Sequence, residues 1–303
     1  MTLSEWSYTA MVAAAVVYLI ALTLCALEWS AARGLAAERP EDGSEDASRT
    51  RVDFFGRLGL FVTTIGALLH IGAVVLRGVA ANRAPWGNMY EFVTAALAFG
   101  VLLYLVFAYR FGMRWLGLGA NLLLTVGLGV AVTAFYVDVA PLVPALHSVW
   151  FVIHIVAACV SGAAFNIGAI ASALYLVRDA AGRRAEARGA ELTGYVAKLP
   201  TAKRLDLISY RLIAFAVPLW TFTIVAGSIW AQYAWGRFWN WDPKETWSFI
   251  TWIVYVAYLH ARATAGWRGR PVAYISLLGV VAFWFNFVGV NLLFSGLHSY
   301  AGI

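Results

Sequence analysis

The feature that most limits this chain is a succession of long apolar segments separated by short polar ones. A helix that crosses a bilayer needs about 20 mostly apolar residues. Eight segments approach that length, at 8–27, 56–76, 92–109, 115–136, 148–177, 207–230, 247–261 and 272–294. Inside hydrocarbon, every backbone N–H and C=O has to be satisfied within its own segment or by a closed barrel, and runs this long select helices. Composition agrees: 62% of the 303 residues are hydrophobic and 13% charged, against about 45–50% and about 25% in soluble domains. The expected fold is all-α, a polytopic transmembrane bundle of about eight spans.

Positive charge sets the orientation, because Lys and Arg collect in loops that stay cytoplasmic. Counting Arg57 at the edge of the second segment, the loops after segments one, three, five and seven hold 17 of them. The opposite side holds only Arg77, Arg83, Arg237 and Lys244. Both termini are therefore expected outside the cytoplasm, together with the connection between segments six and seven. The net charge of +6 is thereby read as topology, and nucleic acid is not an expected partner. The segment MTLSEWSYTA lacks the basic start of a cleavable signal, so the first apolar run is expected to stay as a span. Two cytoplasmic stretches are polar. Residues 36–51 have the composition of a disordered loop. Residues 178–206 are open to two readings, an amphipathic helix on anionic lipid or a tether. Cys25 and Cys159 lie in separate apolar runs, outside any CxxC, and read as core residues.

One connection does not fit a plain bundle. WAQYAWGRFWNWDPKETW, residues 230–247, carries five of the fourteen tryptophans beside Arg237, Asp242, Lys244 and Glu245. Interfacial belts of Trp are common, but a belt does not require this density in a single loop. Within it, Asp242-Pro243-Lys244-Glu245 has the pattern of a helix start, with Asp at the N-cap, Pro at the first position and Glu three residues on. Five histidines accompany the loop. His154 lies two turns into segment five, and His298 follows segment eight, so both fall at the depth of the tryptophans. His260 lies roughly 20 Å further along segment seven, at about 1.5 Å per residue. His70 lies in segment two, and His147 precedes His154 by seven residues. Two imidazoles beside a slab of indoles suit a large, flat, apolar ligand with an axial metal, which is a description of haem. Arg237 and Lys244 could meet its propionates or could snorkel to the interface.

The stretch Trp235-Gly236-Arg237-Phe238-Trp239-Asn240-Trp241-Asp242 resembles the WWD signature of haem-handling proteins in cytochrome c maturation. Its continuation Pro243-Lys244-Glu245-Thr246-Trp247 resembles the CcsA branch (also called ResC) rather than CcmC or CcmF. Asn88-Met89-Tyr90-Glu91, Trp150 to His154, Tyr258 to Arg262 and Gly296 to Tyr300 resemble further motifs of that family. The likeness covers about residues 55–303, and these motifs together are specific.

The resemblance implies a subunit of the system II cytochrome c synthase, and the Ala- and Arg-rich composition points to a bacterial plasma membrane rather than a thylakoid. Residues 1–53 would hold the first span and an acidic loop, and residues 54–303 the haem-handling domain. His154 and His298 would be axial ligands of a haem b over the loop formed by Trp235, Gly236, Trp239, Trp241 and their neighbours. His260 would ligate haem inside the membrane, with its second ligand from a CcsB (ResB) partner. The substrate would be apocytochrome c bearing CxxCH, kept reduced by a thiol pathway. No side chain is expected to act as acid or base. A haem exporter and a bis-histidine electron-transfer protein remain as alternatives.

Overall fold

A computed structural model gives the architecture; it describes residues 2–33, 35 and 47–298. All regular structure among them is helical. α1 (Leu3–Ala31), α2 (Ala47–Ala81), α3 (Met89–Phe111), α4 (Gly117–Ala134) and α5 (Val149–Ala187) run up and down in sequence. A single turn, α6 (Tyr195–Lys198), precedes α7 (Ala202–Trp235) and α8 (Pro243–Ala263). The last span is continuous but changes winding. It begins as α9 (Arg270–Trp284), passes through a π-helical turn at Phe285–Gly289, and ends as α10 (Val290–Leu293).

Seven of these segments are long and apolar enough to cross a membrane. The remaining expected span, 247–261, forms α8, whose 21 residues are long enough but carry Trp, Tyr, Thr and Ser through their length. The fold is thus the expected helical bundle, with one member less apolar than the other seven. α1 lies along α2 and α4, while α5 lies along α7 and α9. Two main cores result. One is centred on Tyr18, Tyr90, Leu97 and Leu128, the other on Phe165, Trp220, Tyr255 and Phe283.

Local chemistry explains where the helices begin. Thr2 and Glu5 form a capping box on α1, Asn88 caps α3, Ser148 caps α5 and Thr201 caps α7. Each supplies a side-chain oxygen to an N–H that the helix cannot satisfy itself. Asp242, Pro243 and Glu245 form the expected capping box on α8.

Both polar stretches depart from expectation. Residues 36–46 of the acidic loop lie outside the described residues, but 47–51 are the first turns of α2 rather than disordered chain. Residues 178–206 form neither a surface helix nor a tether. α5 runs on to Ala187 and α7 starts at Ala202, and Tyr195 of α6 stacks on Trp29 at 4.5 Å. Burial of that aromatic pair, which composition does not reveal, fixes the connection against the bundle.

His70 is a packing residue. It is fully buried, with Nε2–H donating to Thr94 O at 2.9 Å and Nδ1 accepting from the Tyr18 hydroxyl at 3.4 Å. Nearby, Glu91 is fully buried between two arginines. It accepts from Arg77 Nε at 2.8 Å, from Arg83 Nη1 at 2.7 Å and from Gly87 N at 2.7 Å. Arg77 and Arg83 also donate to Val137 O and Ala140 O. The cluster ties the turn before α3 to the segment after α4. Removing one member of a buried ion pair leaves an uncompensated charge, at about 3–5 kcal/mol. Glu91→Ala should therefore lower the thermal midpoint of the detergent-solubilised protein by several degrees, measured against Glu91→Gln, which retains part of the hydrogen bonding.

Candidate functional site

The tryptophan-rich connection is built on α8. Glu245 Oε1 accepts from Arg237 Nη1 at 2.8 Å, and Oε2 accepts from the backbone N–H of Asn240 and Asp242 at 2.9 and 3.2 Å. One carboxylate thereby closes the loop onto the helix it caps. Gly236 ends α7 with φ of 72°, a left-handed conformation that costs glycine nothing. Trp241 also has positive φ, 57°, and is 64% exposed. A bulky residue in that region is strained, and such strain persists only where the surroundings impose it.

Asp242 holds the chain's other end. Its Oδ1 accepts from Leu297 N at 2.9 Å, and Oδ2 accepts from Lys244 N at 3.2 Å and His298 Nδ1 at 2.9 Å. Burial alone would raise the carboxyl's pKa. The hydrogen bond from His298 and those from the two backbone N–H groups outweigh it and hold the value at about 2. Burial also pulls His298 below the ordinary imidazole range, with Asp242 opposing. A neutral His298 that donates from Nδ1 keeps its lone pair on Nε2.

His154 reaches the same state by a different route. Its Nδ1–H donates to Thr223 O of α7 at 2.9 Å, which again places the lone pair on Nε2. The close approach of α7 is made possible by Gly227, where an added Cβ would come within 2.7 Å of the imidazole. His154 and His298, 144 residues apart, meet at one indole: their rings lie 5.8 and 5.7 Å from that of Trp230. Trp235 lies 4.9 Å from Trp230 and 5.0 Å from His298. Trp230 is itself fixed by a 2.7 Å hydrogen bond from Nε1 to Ala145 O.

A cavity is lined by both imidazoles and by Trp230 and Trp235. His154, His298, Trp230, Trp235, Trp239 and Lys244 line its upper part, and it descends between α3, α5, α7 and the last span past Gly162. Its walls are mainly apolar and aromatic, and its paired imidazoles beside indole faces suit a porphyrin.

The other expected site residues are placed as follows. Trp239 lines the cavity, and Trp241 packs edge-on to it at 5.6 Å from outside. Arg237 is paired with Glu245 and stands 5.6 Å from Trp235. Lys244 does not snorkel: its Nζ turns inward to Phe287 O and Asn291 Oδ1, both at 3.0 Å. His260 is not part of this site. It is exposed on α8 near the bundle's far end, where Thr264 contacts its Nδ1 at 3.3 Å. His147 precedes the N-cap of α5, is exposed, and donates to Leu142 O at 3.3 Å, so it does not share a helical face with His154. Trp230, Met89, Phe287 and Asn291 belong to the lining and were not singled out as site residues from sequence. Trp230 carried a signal as the first residue of the quoted stretch and Met89 as part of the Asn88–Glu91 motif; Phe287 and Asn291 depend on how spans pack.

The fold and cavity define a multi-pass helical membrane protein with a histidine-bearing, aromatic site at one end. The model for the cytochrome C assembly protein family matches residues 86–298, and the chain belongs to that family. Among relatives, it is 33% identical over 304 residues to the cytochrome c biogenesis protein CcsA of Picosynechococcus sp., covering 81% of this chain and 87% of that one. It is 36% identical over 262 residues to CcsA of Guillardia theta, covering 78% and 84%. With CcsA of Gloeobacter violaceus it shares 34% over 303 residues, covering 84% and 89%. The expected CcsA kinship is borne out; the chain is a cytochrome c biogenesis protein, and its work involves haem.

The Asp242 carboxyl yields a pH prediction. Its folded value lies below the ordinary 3.8. Its stabilising contribution is therefore complete above about pH 4 and lost as pH falls toward about 2. The thermal midpoint of Asp242→Asn should be lower than wild type at neutral pH, and the gap should narrow on acidification through that window.

Proposed function

We propose that this chain carries haem across the membrane and presents it beside the tryptophan loop for attachment to CxxCH of apocytochrome c. The observation that carries this reading is the meeting of His154 and His298 on Trp230 in one mainly apolar cavity. Each imidazole is oriented by a hydrogen bond from Nδ1, as metal-ligating histidines ordinarily are. In this reading residues 54–303 form the haem-handling part. The 230–247 loop faces the extracytoplasmic side, in keeping with the 17-to-4 distribution of basic residues, and the Ala- and Arg-rich composition favours a bacterial plasma membrane over a thylakoid.

The chain's contribution is positional. Haem b is the substrate, held with its vinyl groups near the mouth of the cavity. Each thioether forms by addition of a thiol S–H across a vinyl C=C, with sulfur bonding one carbon and hydrogen the other. Nothing leaves and no net electrons move, so the residues' tasks are to orient the macrocycle and exclude water. Asp242 and Thr223 hold the imidazoles in the ligating tautomer. The exposed Trp241 and Phe238 offer an aromatic surface to an unfolded CxxCH segment. Thiols must arrive reduced, which calls for a thiol-reducing pathway on the same side.

His154→Ala or His298→Ala should abolish or strongly weaken haem binding at the loop and holocytochrome formation. Added imidazole should restore part of both by filling the vacated axial position. Wild-type levels of holocytochrome in either variant without imidazole would count against the ligand assignment. Co-expression with a CxxCH substrate separates synthase from exporter or electron carrier, since only a synthase yields covalently bound haem.

His260 would belong to a second haem position. Its exposure on α8, far from the cavity, supports a site completed by a histidine of another chain, such as a CcsB (ResB) partner. His260→Ala should lower the haem reaching the loop in cells, while haem supplied from outside still binds the purified variant. Loss of that external binding would overturn the two-position reading.

A further inference from the structure

Lys244 stands where the local structure does not favour a cation. It is the second residue of α8, after Pro243, where the helix dipole is positive. Neither adjacent acid makes a direct ion pair with its ammonium, although the Asp242 charge favours it against burial. Asp242 receives Leu297 N, Lys244 N and His298, and Glu245 receives Arg237, Asn240 N and Asp242 N. Among the described residues Lys244 has no ion pair, and its Nζ donates only to two neutral oxygens, Phe287 O and Asn291 Oδ1.

Those acceptors are themselves built. Phe287 lies in the π-helical turn, and its carbonyl receives both Lys244 Nζ and Asn291 Nδ2. Asn291 Nδ2 also contacts Met89 Sδ at 3.1 Å, so the amide is held from two sides. An ammonium has three donors. Two are fixed by this network, and the third remains on a residue that lines a mainly apolar cavity, in which the one carboxylate, Glu245, is already matched by Arg237. Arg237, the other cation of the loop, is matched by Glu245 and does not line the cavity.

We propose that Lys244 is the carboxylate anchor of this cavity: it takes one propionate of the porphyrin and so fixes which edge of the macrocycle faces the π-turn and which faces the mouth. This rests on the haem-binding reading above and adds an orientation to it. Haem is pseudosymmetric about its face, and two axial imidazoles cannot set its rotation in the plane. A single buried cation can.

The test is a Soret titration of the full-length protein in detergent with iron protoporphyrin IX and, separately, with its dimethyl ester. Wild type should bind the diacid about tenfold or more tighter than the ester, the worth of one charge-assisted hydrogen bond. Lys244→Met should bind the ester as wild type does and lose the preference for the diacid, while Lys244→Arg should keep most of it. Equal binding of both porphyrins by wild type overturns the anchor without any variant. So does a preference that survives in Lys244→Met, or an equal loss of both porphyrins there with the midpoint of thermal unfolding unchanged. Absence of a bis-imidazole Soret band with either porphyrin in wild type would instead sink the haem-binding reading, and the anchor with it.

Discussion

The carboxylate of Asp242 is the point through which the site is assembled. It caps α8, accepts the backbone N–H of Leu297 and fixes His298 by Nδ1. A helix start, a turn after the last span and an imidazole are thereby tied to one side chain. Glu245, three residues on, does the same for the tryptophan loop through Arg237 and two backbone N–H groups. A capping box ordinarily satisfies two orphan donors at a helix end. Here both of its acids accept additional donors from elements that a membrane interface would otherwise leave loose. Loss of either acid would thus be felt at the histidine and the indoles before it was felt by the bundle.

The bundle supplies the rest by rigidity. Arg77 and Arg83 on the buried Glu91 hold the turn ahead of α3, and that turn presents Met89 and Phe92 to the cavity. The last span unwinds into a π-turn beside the same cavity, placing the Phe287 carbonyl and Asn291 opposite Lys244. Single π-turns inside α-helices recur at functional sites, because they redirect carbonyls and side chains that a regular helix keeps to itself. His154, His298, Lys244, Glu245 and Asn291, polar groups of this cavity, are each held by a second group. Such an arrangement suits a ligand that is mostly apolar surface with one or two points of polar recognition.

Much of the fold was legible in the sequence, and for a simple reason: long apolar runs leave the backbone little choice but a helix. The cap at Asp242, Pro243 and Glu245 was readable because it depends on residues within one turn of one another. Kinship with CcsA was readable from the same short range, in the run from Trp235 to Trp247. Residues 47–51 and 178–206 depart from what their composition suggested. Composition reports what a segment can do alone, and the polarity of residues 178–206 says nothing of the Trp29–Tyr195 stack that anchors residues 195–198.

The sequence by itself determined the helical class, the number of apolar segments, the candidate ligands His154 and His298 and the chemistry of the loop. Only the tertiary structure decided which of those groups meet. It brought His154 and His298 together at Trp230, left His260 exposed at the far end of α8, and buried His70 as a packing residue. It also divided two cations that look alike in the chain, pairing Arg237 with Glu245 and turning Lys244 inward. The physical reason is that ligand geometry and charge compensation are set by contacts between helices, far apart along the chain, and no local pattern encodes them.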